Sequence, residues 1–339
     1  MPIFDLLKGR VSSLDILNHK DVHDDRSGVT PGGFHHDPDG DAWYVKHHTN
    51  PHQAWTEHVA NQLYRAAGHN APHSMVLHDH EHKPVYFSKE IKGFKTVAAS
   101  GASGGWEGTG AHRSGDHEWA GMSRDFAHRH LKGLAADYLV HATDMHTSNV
   151  GHVGGTHEGT PTRIDNGGAF HINAYGSTKY KHDLDASVVQ YADDQNYHAV
   201  QRAAGSPSLI QHGEPGHGDR YHIHNTKLRE VTSPAAMRGQ VKNLAKVRQQ
   251  HGGWEGFVEH HAAGAPAHLK KIMVDHLNER HERLLKHVLP TASTATPSSH
   301  AAEPGYHPPR DDMSILRSLE AKSAARRAAG VKPPTSTHP

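Results

Sequence analysis

The stretch DYLVHATDMHTSNVG, residues 137–151, joins an apolar run with helical spacing to a dense group of polar side chains. A second stretch, RIDNGGAF at 163–170, places a single acid between an apolar residue and an Asn-Gly-Gly turn. Asp144 and Asn149 are five residues apart, and Asp165 follows sixteen residues after Asn149. Carboxylate and amide oxygens are the hard ligands that suit Mg²⁺, so the two stretches predict a site for that metal.

The composition is that of a soluble protein without a strong overall charge. Among 339 residues, 36 are Lys or Arg and 36 are Asp or Glu, so no global field favours nucleic acid or an anionic membrane. No stretch approaches the roughly 18–20 apolar residues that span a bilayer, and MPIFDLLKGRV at the start lacks a signal-peptide pattern. The absence of cysteine excludes disulfides and thiol chemistry. We therefore expect a cytoplasmic protein that binds neither nucleic acid nor membrane.

The 38 histidines are unusually many, and some are clustered, as at 34–37, 78–82 and 128–130. One interpretation is a zinc or nickel site. The other is a solvated, histidine-rich surface of compositional origin, which we favour because histidine occurs in every segment. The surface interpretation predicts that many of these side chains titrate between about pH 5 and 8, so that net charge rises steeply on acidification.

The first half of the chain has the pattern of a small β-rich unit. Residues 26–48 read as strand, glycine turn and strand, with AWYVK at 42–46 showing the aromatic and β-branched bias of a strand. Residues 50–68 predict a helix, because a proline suits its first turn and a glycine its end. Two further strands are predicted at 73–80 and 84–91.

The second half is mainly helical, beginning with 123–141 and continuing at about 226–250, 254–263 and 266–288. The fold class is therefore α+β, with a cleft between two parts where a ligand would bind. The predicted divisions are a β-rich part (1–98), a glycine-rich loop (99–118), a helical part (119–289), a disordered linker (290–310) and a tail with one short helix (311–339). The tail fits a solvent-exposed helix, which we favour, or a docking peptide for a partner.

The N-terminal half also carries the groups that phosphoryl transfer from ATP requires. That reaction needs a cation on the phosphates, bound Mg²⁺ and a group that orients the acceptor. Lys46 ends the AWYVK strand, and Glu57 on the next helix would pair with it and fix its charge. The turn SGVTPGGF at 27–34 would let backbone approach the phosphates. Each feature alone also fits a surface charge or an ordinary turn, and the order of all of them favours the site.

These residues resemble a known group of atypical kinases. The string DMHTSN at 144–149 resembles the D-x-H-x-x-N catalytic loop of phosphatidylinositol 3-/4-kinases and bacterial HipA-like serine/threonine kinases. IDNG at 164–167 is similar to their metal-binding D-x-G, WYVK at 43–46 to the ATP-lysine strand, and PGGF at 31–34 to a phosphate loop. The resemblance covers about 26–170 and is closest to HipA-like proteins of bacteria and phages. It implies a two-lobed, protein-kinase-like fold with a small β-rich N-lobe and a larger helical C-lobe.

The resemblance also implies a role for each residue of the catalytic and metal-binding strings. Asp144 would be the catalytic acid that orients or deprotonates the acceptor hydroxyl. His146 would lie beside the γ-phosphate as a charge partner or alternative base. Asn149 and Asp165 would hold Mg²⁺.

The nucleotide would be held by the N-lobe. The resemblance implies that Lys46 binds the phosphates of ATP and that Glu57 is its partner. Three glycines would shape the phosphate loop: Gly28, Gly32 and Gly33. The full G-x-G-x-x-G string of ordinary protein kinases is absent from this region.

The predicted function is an ATP- and Mg²⁺-dependent phosphotransferase, favoured as a serine/threonine kinase with a protein substrate. A lipid kinase is disfavoured because no basic or amphipathic membrane-docking segment is present. Small-molecule phosphorylation, nucleotidyl transfer and glutamylation on the same scaffold remain open, since a fold does not decide chemistry. Two further alternatives are a non-catalytic kinase-like scaffold, including a toxin-neutralising protein, and a histidine-rich metal-binding protein.

Overall fold

The structure is a computed structural model, and it describes residues 32–37, 39–79, 81–97, 124–143, 149–153, 159–173, 175–179, 184–195 and 231–289. Within these ranges a small antiparallel sheet precedes a larger, mainly helical part, which confirms the α+β, two-part architecture. Several predictions concern residues outside the described ranges: the loop at 99–118, the linker and tail at 290–339, and the site residues Gly28, Asp144 and His146.

The N-terminal sheet contains four antiparallel strands in the order β1-β2-β4-β3, namely β1 (Gly32–His36), β2 (Ala42–Lys46), β3 (Ser74–His78) and β4 (Pro84–Lys89). The predicted strand, glycine turn and strand at 26–48 correspond to β1, the turn around Gly40 and β2. Asp37 caps this turn by accepting from the backbone N–H groups of Asp39 and Asp41, and Gly40 supplies a φ of +80°. The sheet covers a small apolar core formed by Trp43, Val45, Met75, Val85 and Phe87.

Helix α1 (Pro51–Ala66) confirms the helix predicted at 50–68. It begins with Asn50, whose side chain accepts from the N–H of His52, and Pro51 occupies the first turn, where its missing N–H costs nothing. Its apolar side chains do not join the small core of the sheet. Trp55, Val59 and Leu63 are buried in the large core of the helical part.

A second sheet connects the two parts of the chain. It has the order β5-β6-β7, with β5 (Phe94–Thr96), β6 (Val150–Val153) and β7 (Thr162–Arg163). A 3-10 helix at Asn166–Gly168 follows β7 directly after Asp165. Although β5 precedes residue 98, it pairs with β6, so the end of the N-terminal part is hydrogen-bonded into the helical part.

The helical part is built from α2 (Arg124–Leu131), α3 (Leu134–Val140), α4 (Val188–Asp194), α5 (Pro234–Gln250), α6 (Trp254–His261) and α7 (Ala267–Val288). The helix predicted at 123–141 is divided at Gly133, where a Cβ would lie 1.9 Å from the guanidinium of Arg163. In the described ranges no helix combines the length and apolar character needed to cross a membrane.

Candidate functional site

Lys46 is the centre of the site, because its ammonium contacts two carboxylates from distant parts of the chain. Its Nζ lies 2.9 Å from Oε1 of Glu57 and 2.6 Å from Oδ1 of Asp165, a residue 119 positions away. The side chains of Lys46 and Glu57 are 8% and 1% exposed, whereas that of Asp165 is 47% exposed. The cluster is therefore buried at its base and open to solvent at Asp165.

The two carboxylates keep Lys46 charged in spite of its burial. Burial lowers the pKa of Lys46, but the attraction of Asp165 and then of Glu57 raises it by more, so its pKa lies above the ordinary value. A protonated ammonium at this point is a fixed positive charge beside a solvent-exposed edge. Because two carboxylates share this one ammonium, the exposed edge at Asp165 suits a cation, and an anionic ligand would reach Lys46 together with such a cation.

Besides Lys46, Glu57 has a second buried partner, His48. Its Oε2 lies 3.0 Å from Nε2 of His48, whose side chain is 1% exposed. The rings of Tyr44 and Tyr86 flank the ammonium of Lys46, with centroids 5.9 and 5.6 Å from Nζ. Because both partners of the Lys46–Glu57 pair are held by further contacts, the pair is preorganised.

The Asp165 turn is tied to the strand pair that carries Lys46. Asp165 has φ 54° and ψ 57°, a left-handed conformation that Asp tolerates better than most residues. The next residue, Asn166, donates to Oδ1 of Asn61 at 2.7 Å, and Asn61 donates to the hydroxyl of Tyr86 at 2.5 Å. Tyr86 lies opposite Lys46 in the sheet. This chain of hydrogen bonds fixes the distance between Asp165 and Lys46.

The first turn of α1 holds the segment that follows the Asp165 turn. Gln53 donates to the carbonyls of Gly167 at 3.4 Å and Asn173 at 3.3 Å, and Asn50 donates to the carbonyl of Gly176 at 2.7 Å. Together with Asn61, which accepts from Asn166, residues on both sides of Glu57 therefore bind the segment around and after Asp165. The described contacts make α1 and this turn one unit.

Asn149 lies at the same end of the β6–β7 pair as Asp165. Its carbonyl accepts from the N–H of Ile164 at 2.9 Å, which extends the ladder that pairs Val150 with Arg163. Asp165 is the next residue after Ile164, so strand pairing brings the backbone of the two predicted metal ligands close together. Asn149 is buried at 6% exposure.

The predicted catalytic residues Asp144 and His146 lie outside the described ranges, but the residues on either side of 144–148 are placed at the site. Thr143 donates its hydroxyl to the carbonyl of Gly168 at 3.1 Å. Asn149 pairs with Ile164, as above. The described flanks of the predicted catalytic loop are thus both bonded to the segment around Asp165.

The predicted phosphate-loop glycines require a correction. Gly32 and Gly33 belong to strand β1, opposite Lys46 and Val45, and not to a turn. A Cβ at Gly32 would lie 2.6 Å from the carbonyl oxygen of Val45, so this residue permits close pairing beside Lys46. The turn interpretation failed because PGG before an apolar residue fits a strand start as well as a turn.

The site is supported by a buried ion pair between Arg163 on β7 and Asp137 on α3. The sequence did not indicate this pair. Arg163 bonds both oxygens of Asp137, through Nε at 2.5 Å and Nη2 at 2.7 Å, and also donates to the carbonyl of His130. The side chains of the two partners are 1% and 0% exposed. The pair fastens β7, and hence the residues that lead into Asp165, to helix α3.

The donor set fits Mg²⁺ better than a transition metal. Asp165 and Asn149 offer one carboxylate and one amide, and Mg²⁺ commonly takes one or two protein oxygens together with substrate phosphates. Across the part of the chain that the structure describes, no three His, Asp or Glu side chains are grouped so as to hold a metal ion. These residues therefore give no support to the histidine-rich metal-binding alternative.

The interpretation of the histidines as a solvated surface is wrong for an appreciable set. His58, His130, His141, His152 and His281 are all at most 3% exposed. Burial lowers the pKa of His130 and His281 to about 3 and that of His58 to about 4, so these do not titrate between pH 5 and 8 in the folded protein.

Comparisons with known proteins find structural similarity only. No protein family and no curated protein is matched by this sequence. The solved structure of the Helicobacter pylori proinflammatory kinase CtkA is similar with a TM-score of 0.45 and 13% identity, over 78% of this chain and 93% of that chain. The structure of the HipA–HipB toxin–antitoxin system with operator DNA, from Shewanella oneidensis MR-1, gives a TM-score of 0.37 and 14% identity over 84% and 71%. Similarity at this level leaves the function to the geometry of the site.

Proposed function

We propose that this protein is an ATP- and Mg²⁺-dependent phosphotransferase of the HipA-like serine/threonine kinase type. The observation that carries the proposal is the contact of one buried ammonium, Lys46, with both Glu57 and Asp165. Phosphoryl transfer needs a fixed cation beside a metal-binding carboxylate, and this contact supplies both within one nucleotide's reach.

Each described residue then has a distinct part. Lys46 would neutralise charge on the α- and β-phosphates, and Glu57 would hold its ammonium in place. Asp165 and Asn149 would hold Mg²⁺, which when bound neutralises charge on the transferring phosphates. The Lys46–Asp165 contact lies at the exposed edge of the cluster, where the phosphates would be received.

The acceptor hydroxyl would be oriented by Asp144, with His146 beside it. The anchoring of Thr143 and Asn149 next to the Asp165 turn supports this part of the proposal. A positioned carboxylate of this kind contributes about 10²-fold or more to proton transfer. Glycines 28, 32 and 33 would shape the backbone around the phosphates, the last two from strand β1.

We propose a protein serine or threonine as the acceptor. A lipid acceptor is disfavoured, because the sequence has no basic or amphipathic membrane-docking segment. Transfer of a nucleotidyl group, or phosphorylation of a small molecule, would use the same charged groups and is distinguished by the label in the test below.

The test is incubation of the full chain with Mg²⁺ and ATP labelled either at the γ- or at the α-phosphate, with autophosphorylation and a mixed protein substrate as acceptors. The proposal predicts protein-bound label from γ-labelled ATP alone. Asp144→Ala should retain ATP binding and lose transfer by about 10²-fold or more.

The matched control is Asp275→Ala, which removes an exposed acid paired only with Lys271 on α7 among its described contacts and should leave transfer unchanged. Protein-bound label from α-labelled ATP would indicate that the protein is a nucleotidyl transferase and not a kinase. ATP binding without any transfer would favour a non-catalytic scaffold.

A further inference from the structure

Lys179 is a buried lysine that the proposed mechanism does not use. It is 6% exposed, and its ammonium donates to three backbone carbonyls, those of His141 at 2.6 Å, Gly168 at 2.7 Å and Phe170 at 2.8 Å. An ammonium has three N–H donors, and each finds an acceptor here. The three carbonyl oxygens converge on a single atom.

The three carbonyls come from the two segments that flank the predicted catalytic and metal-binding residues. His141 precedes Asp144 by three positions, and Gly168 follows Asp165 by three. His141 and Phe170 both have positive φ, at 52° and 58°. Such conformations are unfavourable for residues with a Cβ and persist only where the surroundings impose them.

Other hydrogen bonds join the same two segments around the ammonium. The carbonyl oxygen of Gly168 accepts from the hydroxyl of Thr143 as well as from Lys179, so both of its lone pairs are used. The N–H of Phe170 donates to the carbonyl of Val140 at 2.6 Å. Lys179 thus completes a joint, formed by residues 140–143 and 168–170, that links the end of α3 to the end of the Asp165 turn.

We propose that Lys179 is a positioning residue that fixes residues 140–143, at the end of α3, relative to the Asp165 turn. The kinetic part of this proposal rests on the proposed function, because it assumes that Asp144 and Asp165 act on one nucleotide. A buried ammonium that loses its acceptors is costly, so the carbonyls and the lysine hold one another in place. Misplacement by about 1 Å in such a site can reduce the rate by about 10²-fold.

The test compares the full-length wild type with Lys179→Met, Lys179→Arg and the control Lys271→Met. Methionine keeps an unbranched stem without donors, and arginine keeps the charge in a planar fork that cannot meet three oxygens converging on one point. Lys271 is an exposed lysine paired with Asp275 on α7, so its loss should leave every readout unchanged. The readouts are amide hydrogen exchange at Phe170 and Ala142, kcat, and the Mg²⁺ concentration that gives half-maximal transfer.

For Lys179→Met we expect exchange at Phe170 to accelerate by about tenfold or more while the amides of α7 remain protected. We also expect kcat to fall by about tenfold or more and the Mg²⁺ requirement to rise several-fold, because the Asp165 turn loses one of the contacts that hold it. Wild-type exchange at Phe170 in a folded Lys179→Met protein would overturn the proposal. So would a lower stability with an unchanged Mg²⁺ requirement, since a merely structural residue gives that result.

If Lys179→Met does not fold, the Mg²⁺ requirement of Lys179→Arg tests the proposal instead. A folded arginine variant with a raised Mg²⁺ requirement supports positioning, whereas a wild-type requirement, or failure of both variants to fold, rejects it. If the wild type itself transfers no phosphate, the proposed function has failed, and hydrogen exchange alone then decides whether Lys179 joins the two segments.

Discussion

At the scale of single residues, the site depends on how one buried ammonium is satisfied. Removing a lysine and a carboxylate from water costs several kcal/mol for each, and attraction offsets that cost only in good geometry. Lys46 has two carboxylate partners, and Glu57 has Lys46 and His48. Loss of either charge therefore leaves the other buried with fewer partners than it needs.

A double-mutant cycle on this pair should show strong coupling. We expect Lys46→Met to lower the free energy of unfolding by about 3 kcal/mol, because Glu57 stays buried without its cation. The double variant with Glu57→Gln should cost about 1–3 kcal/mol less than the sum of the single changes. The measurement is urea unfolding of the three variants and the wild type.

The exposed pair of Lys270 and Glu259 provides the control cycle. Its oxygen and nitrogen are 2.8 Å apart, but the glutamate is 65% exposed, so its coupling should stay below about 1 kcal/mol. Equal coupling energies in the two cycles would contradict the view that burial makes the Lys46–Glu57 pair strong.

Some residues of the site could be predicted from the sequence and others could not. Lys46, Glu57 and Asp165 were predicted because each stands at a recognisable place, at the end of a strand, on the next helix and before a glycine turn. The contribution of Asn61 and Lys179 was missed. A buried asparagine and a lysine that binds carbonyls leave no spacing signal, because their partners are set by tertiary packing.

At the scale of elements, helix α1 connects the two ends of the site. It carries Glu57 beneath Lys46, and its first turn bonds the chain beyond Asp165 through Gln53 and Asn50. Its apolar face is buried in the large core. Movement of α1 would therefore disturb Glu57 and the Asp165 segment together.

The buried pair between β7 and α3 gives a prediction at this scale. Arg163→Met should lower the free energy of unfolding by about 3–5 kcal/mol, because it leaves the fully buried carboxylate of Asp137 without its bidentate partner. Thermal or urea unfolding measures the change. The fall should be accompanied by weaker Mg²⁺-dependent binding of ATP, since β7 leads into Asp165.

Arg283→Met is the matched control, because Arg283 also makes two bonds to carboxylate oxygens, but these belong to two exposed residues, Asp185 and Glu279, which are 48% and 61% exposed. Its loss should cost less than about 1 kcal/mol. Comparable losses for the two arginines would show that the Arg163 pair does not hold β7 on α3.

The long helices were predicted from the sequence, and the shortest strands were not. The helices at Pro51–Ala66 and Ala267–Val288 have clear periodicity and confirm the predicted spans. The sheet that holds Asn149 beside Asp165 was missed, because β6 is Val150–Val153 and β7 is only Thr162–Arg163. Strands of four and two residues are too short for alternation to be seen.

At the scale of the whole molecule, the candidate site lies where two apolar cores meet. The strand of Lys46 packs on the small core through Trp43 and Val45, whereas the helix of Glu57 packs in the large core through Trp55 and Val59. The salt bridge thus crosses from one packing unit to the other. The contact of Lys46 with Asp165 joins the N-terminal sheet to the turn after β7, and the cleft expected between the two parts stays a prediction.

Buried histidines should make the whole molecule less stable in acid. Burial lowers the folded-state pKa of several of them, among them His58 and His69 to about 4 and His130, His261 and His281 to about 3. Below the ordinary value of 6.5, the unfolded chain therefore takes up protons at these imidazoles and the folded protein does not. Stability should be constant above about pH 6.5 and fall by about 1.4 kcal/mol per pH unit for each such histidine down to its folded pKa.

Urea unfolding at pH 7.5, 6 and 5 measures this dependence, with the expected loss already several kcal/mol at about pH 5. His58→Gln should reduce the slope by about one proton, because this side chain is buried between α1 and β3 and bonds Ser74. A stability that does not change over this range would mean that these imidazoles are hydrated or already protonated in the folded protein.

The central claim, that Lys46 and Asp165 receive the phosphates of one nucleotide, is tested most directly by equilibrium binding of ATP to the wild type and to Asp165→Ala, with and without Mg²⁺. We expect the variant to bind about tenfold or more weakly than the wild type in Mg²⁺ and no more weakly in chelator, because Asp165 acts through the metal. Equal affinities of the two proteins in Mg²⁺, or no binding of ATP to the wild type, would contradict it.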